Sequence, residues 1–189
     1  MKGKLYILFV LLTISSCDVE KKNIELPSIY YSIFISLQGD DHDVDSAKDH
    51  WLRAEKPCFY FIEDERYSYV SALVDVGFGV TEWNEELNAK PKLAEDLLKY
   101  MVSNGCGLEE LHPVTGHSTA HSAAFFTKNN FKLARYVLQN TNNLNQKTLD
   151  TDPHFPGMTS TQILAKIVAE NENQEQRLQL LELIKSRLE

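Results

Sequence analysis

Apolar positions recur at helical spacing through "LLKYMVSNGCGLEE" (97–110) and again, 36 residues on, through "LARYVLQNTNNLNQ" (133–146). Leu97 aligns with Leu133, Lys99 with Arg135, Tyr100 with Tyr136, Asn104 with Asn140 and Leu108 with Leu144. Each stretch predicts an amphipathic helix, a polar or glycine-containing stop, and one leucine that turns back to cover the helix end. A second pattern starts at Gly116 ("GHSTAHSAAFF") and at Gly157 ("GMTSTQILAKIV"). There a glycine leads to hydroxyl residues and then to a helix rich in small side chains, which lets neighbouring helices approach closely.

Upstream the pattern is harder to read. "IYYSIFISL" (29–37) is β-branched and aromatic and fits a strand or a buried helix equally. In "QGDDHDVDSAKDHWLRAEK" turn formers precede helical spacing, with Asp45 or Ser46 as the expected N-cap. "KPCFYFIEDERYSYVSALVDVGFGVTE" (56–82) admits two registers. In one, Pro57 opens a degenerate repeat whose loop is "VGFGV". In the other, "YSYVSALVDVGF" is itself an inner helix, followed by a long insertion before Leu97; this second register leaves more room for the next helix.

With these elements in order, residues 95–189 resemble the ankyrin repeat, whose signature runs G-x-T-P-L-H-x-A-A, helix, E-I-V-K-L-L-L-x-x-G-A-D-x-N. "GHSTAHSAA" matches with Thr119 at the proline position and Ala120 at the leucine position. "FKLARYVLQNTNNLN" and "AEDLLKYMVSNGCGLE" fill second helices, and "GMTSTQILA" with "RLQLLELIKSRLE" closes the chain. The departures are Gln162 at the family's histidine, Thr141 at the loop glycine, and a long connection "NQKTLDTDPHFPG". The resemblance implies an all-α fold, a short solenoid of about three degenerate repeats with an irregular N-terminal cap. It also gives His121, Gly116 and Gly157 structural roles in the turns between repeats.

The N-terminus changes the address. Lys2 and Lys4 precede an apolar run, Leu5 to Ile14, and "ISSC" resembles the lipobox of bacterial lipoproteins. Ten apolar residues rise about 15 Å as a helix, roughly half the hydrocarbon core, so this is an export signal rather than a span. The resemblance implies cleavage before Cys17, acylation of Cys17, and lasting attachment to a membrane surface. Asp18 after the cysteine favours the inner membrane. The expected organisation is a signal over 1–16, a tether over 17–28, a capping region over 29–94, and repeats over 95–189.

Charge narrows the partners. The 189 residues carry 27 acidic against 19 basic side chains, a formal charge of −8. Loss of Lys2 and Lys4 makes the expected mature chain more acidic still. Nucleic acid is therefore not expected, because phosphate binding needs clustered Lys and Arg. A protein with a basic surface is the natural complement. Cys58 and Cys106 lie in apolar stretches and read as free buried thiols, although the exported compartment permits a disulfide.

Chemistry finds little support. Phosphate loops, nucleophile elbows, H-E-x-x-H and C-x-x-C are missing from the sequence. The three histidines of "HPVTGHSTAH" (His112, His117, His121) lack a fourth ligand at zinc spacing, so no metal and no cofactor are expected. The acidic run Asp40, Asp41, Asp43, Asp45 lacks the glycine and the bidentate glutamate of a calcium loop and reads as a solvated helix cap. No catalytic residues are assigned.

The resemblance instead implies protein binding through the loops that project between repeats, the fingers 108–117 and 144–157. Glu109, Glu110, His112, His117, Asp150, Asp152 and His154 are the expected polar contacts. Phe155, between two prolines, is either an apolar anchor for the partner or folded back on its own repeat. Architecture and address together resemble those of immunity proteins encoded beside secreted lipase toxins of the type VI kind. An envelope adaptor or assembly factor, an ankyrin protein supporting catalase, and a periplasmic hydrolase are the other readings.

Overall fold

A computed structural model of the chain describes residues 28–38, 43–80, 89–170 and 175–189. The signal segment, Cys17, Asp18, nearly all of the tether, and Asp40 and Asp41 lie outside the described residues. Among the described residues there are eight helices and one two-stranded sheet, so the chain is mainly α. No helix among them is long and apolar enough to cross a membrane.

The ambiguous aromatic run is a helix, α1 (Ser28–Ile35), with Tyr30, Ile33 and Phe34 buried. It packs on α2 (Val44–Arg53), which buries Ala47 and Trp51. The N-cap of α2 is Asp43, whose carboxylate accepts the Ser46 amide at 2.8 Å. Asp45 and Ser46, the expected caps, instead lie inside the first turn; the earlier carboxylate reaches a free amide first.

An antiparallel hairpin follows, β1 (Phe59–Ile62) with β2 (Glu65–Ser68), pairing Phe59 with Ser68 and Ile62 with Glu65. Neither register of the sequence included it. Tyr60 and Ile62 point into the core while Phe61 is 58% exposed, the alternation of a strand with one wet face. Ser68 then caps α3 (Tyr69–Gly77) by accepting the Ser71 amide, and residues 69–77 are helical as the second register expects.

α4 (Pro91–Ser103) opens on a proline at its first turn, where a missing amide costs nothing, and buries Ala94, Leu97, Leu98 and Met101. Residue 95, where the repeats are expected to begin, lies in its second turn. α5 (Thr119–Phe125) buries Ala120, Ala123 and Ala124 completely. α6 (Phe131–Asn140) is capped by Asn130, and α7 (Ser160–Glu170) and α8 (Glu175–Leu188) end the chain.

The helices pack as consecutive pairs: α1 with α2, α3 with α4, α5 with α6, and α7 with α8. Between pairs, α3 touches α5 and α5 touches α7, while α2 touches α4 and α6 touches α8. Side chains of the α5–α6 turn fasten the pairs together. Asn129 Nδ2 donates to the Phe78 carbonyl (2.9 Å), and Asn130 Nδ2 to Gly77 (3.3 Å) and to Glu95 Oε2 (3.2 Å). A methyl group at Gly77 would meet Leu133 at 2.5 Å, so this contact depends on the missing side chain. One apolar core runs from Tyr30 to Ile184, shared by the N-terminal region and the C-terminal half.

Candidate functional site

Helices α3, α5 and α7 are each preceded by a loop segment: the hairpin 59–68, the segment 108–117 (the first finger) and the segment 144–157 (the second finger). The first finger closes on itself, His112 N donating to the His117 carbonyl (2.7 Å) and Gly116 N to the His112 carbonyl (2.8 Å). His112 Nδ1 accepts from the amides of Val114 (3.3 Å) and Thr115 (3.4 Å), which leaves that nitrogen unprotonated. The second finger is pinned by a bridge between Lys147 and Thr159 and by a bond from Thr148 N to the Met158 carbonyl.

The finger bases share one design. Ser118 and His121 form a capping box in which His121 Nδ1 accepts the Ser118 amide at 2.9 Å. Thr159 and Gln162 repeat it, with the Thr159 amide given to Gln162 Oε1 at 2.9 Å and the Gln162 amide to Thr159 Oγ1 at 3.2 Å. Thr119 Oγ1 latches to the Leu108 carbonyl (2.7 Å) just as Ser160 Oγ latches to Leu144 (3.0 Å). Gln162 therefore performs the local task of the histidine. Gly116 and Gly157 stand at φ +69° and +64°, the left-handed region that side chains avoid.

Loop is joined to loop. Arg66 of the hairpin pairs with Glu110 (2.9 Å), and Tyr67 stands edge-on to His112. Cys58, at the hairpin base, is disulfide-bonded to Cys106, just before the first finger, with Cα atoms 5.3 Å apart. The expectation of two free buried thiols is thus corrected: spacing along the chain conceals that half-buried Cys58 and buried Cys106 meet in space. Between fingers, Leu149 N donates to the Thr115 carbonyl (3.0 Å), His121 Nε2 meets the Gln146 carbonyl (2.9 Å), and His117 Nε2 lies 2.5 Å from Asp152 Oδ2.

Electrostatics follows from this enclosure. Burial pushes His112 and His117 below the ordinary imidazole value, and His121 down to about 4. His121 is therefore neutral at pH 7 and serves as acceptor through Nδ1 and donor through Nε2. Burial pushes the Asp152 carboxyl up, but the Phe155 and His154 amides and the His117 ring outweigh it and hold it below its usual value. Among the described residues no group of three or more His, Cys, Asp or Glu is placed to hold a metal.

Several expected contact residues prove to be internal. Asp152 is 4% exposed and accepts the His154 and Phe155 amides, so it is a turn-builder and not a rim charge. Phe155 is 7% exposed, edge-on to Phe125 at 5.0 Å, so the folded-back alternative is the one realised; its ring fills the space under its own loop. Glu109 is half-buried and holds the Asn142 amide (3.2 Å), and Glu110 is engaged by Arg66. His112 and His117 are half-buried, whereas Asp150 and His154 are exposed.

Beside Asp150 and His154 the loops expose large apolar groups: Phe61 (58%) on the hairpin, Leu111 (37%) and Val114 (58%) on the first finger, and Leu149 (44%) on the second. None of the four was singled out from the sequence. The period-two alternation in "FYFI" is the signal that would have found Phe61. Val114 and Leu149 carry none, since a lone apolar residue in a polar loop reads as ordinary.

Compared with protein-family models, curated proteins and solved structures, the chain shows no match to any of them.

Proposed function

We propose that this chain is an ankyrin-type, lipid-anchored protein of the bacterial envelope that binds a partner protein through the row formed by the hairpin and the two fingers. The observation that carries this reading is the coupling of stiffness with exposure. The three loops are tied together by Arg66–Glu110, Thr115–Leu149, His117–Asp152 and the Cys58–Cys106 bond, yet each holds at least one large apolar group in water. Groups held rigid and exposed lose little entropy on docking, which favours affinity.

The ankyrin reading draws support from the paired helices and from the two matching capping boxes at Ser118–His121 and Thr159–Gln162. The envelope address draws support from the disulfide, a bond at home in oxidising compartments. Acylated Cys17 would hold the chain at the membrane, facing the periplasm. Within this reading the partner is a secreted antibacterial effector such as a lipase, which the chain neutralises as an immunity protein. The chain performs no chemistry of its own.

The test is to export the product of the neighbouring gene to the periplasm of cells with and without this chain. Protection of growth that is abolished by V114D together with L149D supports the proposal. Protection that survives both substitutions removes the finger row, and a neighbouring product that is neither bound nor neutralised removes the immunity reading. C17S releases the chain from membranes if the anchor is as proposed.

A further inference from the structure

The hairpin presents an open edge. Tyr69 N donates to the Cys58 carbonyl (3.1 Å), and the register runs on from Phe59 with Ser68 to Ile62 with Glu65. Bonded and non-bonded pairs alternate along an antiparallel ladder, so Tyr60 and Ile62 turn their N–H and C=O groups to β2. Phe59 and Phe61 turn theirs outward. Among the described residues no hydrogen bond takes up those outward groups, and among the described elements only β2 runs alongside β1. No proline, charged side chain or bulge interrupts Phe59–Ile62, the devices that commonly close an edge.

The first finger lies on the other side. Arg66 reaches Glu110 from one face of β2 and Tyr67 meets His112 from the opposite face, so the finger flanks β2 and the β1 edge ends the row of loops. The Cys58–Cys106 bond anchors the hairpin base, so a segment docking at this edge meets one that is already ordered. On the outward face the Arg66 guanidinium stands over the Phe59 ring at 4.5 Å, while Phe61 beside it stays open to solvent. At the turn Glu63, Asp64 and Glu65 are all exposed.

We infer that the outward edge of β1 takes an extended segment of the bound partner as a third, antiparallel strand, with apolar residues opposite Phe59 and Phe61 and a lysine or arginine at its N-terminal end. The inference rests on the partner-binding reading and states how the hairpin takes part in it. Phe59 and Phe61 each offer the segment one donor and one acceptor. Antiparallel addition brings its N-terminal end to the acidic turn, which is the reason for the basic residue there. A second copy of this chain is the poorer occupant, because each copy brings a formal charge of −8.

The test follows amide exchange in the full chain by NMR, with acetyl-KTVTVT-amide as the added strand. Without peptide, the Tyr60 and Ile62 amides are expected to exchange slowly and those of Phe59 and Phe61 fast. At saturating peptide, exchange at Phe59 and Phe61 is expected to slow about tenfold. The same peptide N-methylated at both valines, which removes the pairing donors, gives no protection, and acetyl-ETVTVT-amide gives less. F61P removes one outward donor while leaving the bonds to β2 in place, and is expected to abolish protection at Phe59, whereas F61A keeps it. Absence of protection by the lysine peptide, or equal protection by the N-methylated or the glutamate peptide, overturns the inference. Protection of Phe59 and Phe61 in the chain alone that grows with its concentration also overturns it, by giving the edge to a second copy. V114D with L149D leaves the peptide response intact, so partner binding that survives those two changes defeats the finger row alone.

Discussion

His121 Nδ1 accepts the amide of Ser118 at 2.9 Å while its Nε2 reaches the Gln146 carbonyl, at 2.9 Å, on the next loop. One buried neutral ring thus caps its own helix and fastens the following finger. Gln162 fulfils the first of these tasks one helix pair later.

That parallel fixes what substitutions at His121 do. H121Q keeps an acceptor for the Ser118 amide and is expected to cost less than about 1.5 kcal/mol. H121A strands both the amide and the Gln146 carbonyl and is expected to cost about 2–3 kcal/mol. Urea unfolding of the two variants measures the difference, and equal losses would deny the capping role.

The disulfide has its own ledger. Joining positions 48 apart restricts the unfolded chain by about 4 kcal/mol in the loop-entropy picture. Replacing Cys58 and Cys106 together with alanine is expected to lower stability by up to that amount and to loosen the hairpin. Reductant is expected to reproduce the effect in the wild-type chain and to leave the double variant unchanged. Thermal melts with and without reductant decide it.

The two structural glycines are not equal. A Cβ at Gly116 would lie 2.9 Å from the backbone nitrogen of Leu149, whereas at Gly157 it would meet the movable Asp150 carboxylate at 2.7 Å. Both also carry the left-handed penalty of about 1–2 kcal/mol. G116A is therefore expected to destabilise more than G157A, and to part the two fingers. Hydrogen exchange of the Leu149 amide reads this directly.

Acid acts on two groups in opposite senses. The unfolded chain takes a proton at His121 near pH 6.5, the folded chain only near 4, so stability from this ring is lost as pH falls through that window. Asp75 takes its proton near pH 6 when folded and near 3.8 when unfolded, so the fold gains over nearly the same range. Each amounts to roughly 3 kcal/mol, and the two largely offset. D75N is expected to be more stable than wild type at pH 7 and to lose that advantage steadily down to pH 4. Melting temperatures across this range test the sign; a constant gap would show that Asp75 is not held as its enclosure implies.

The legible part of the chain was the part with period and punctuation. Leu97, Leu98 and Met101, then Leu133, Val137 and Leu138, announce two helices because burial of one stripe demands that spacing. "GHSTAH" announces a capped start because its glycine, hydroxyl and acceptor must fall in that order. The hairpin was hidden because its turn uses Glu63 at φ 54° where glycine or asparagine would have marked it. Phe155 and Asp152 read as surface because their loop is polar, although the loop folds around them. Asp75 sat in an apolar helix with nothing in one dimension to show what enclosed it.

The most direct measurement is photo-crosslinking in living cells. A photoreactive residue at Val114 or Leu149 is expected to join the chain to one partner, while the same residue at Leu178, similarly exposed on the last helix, is expected to join nothing. Crosslinks at Leu178 with silence at Val114 and Leu149 would contradict the account.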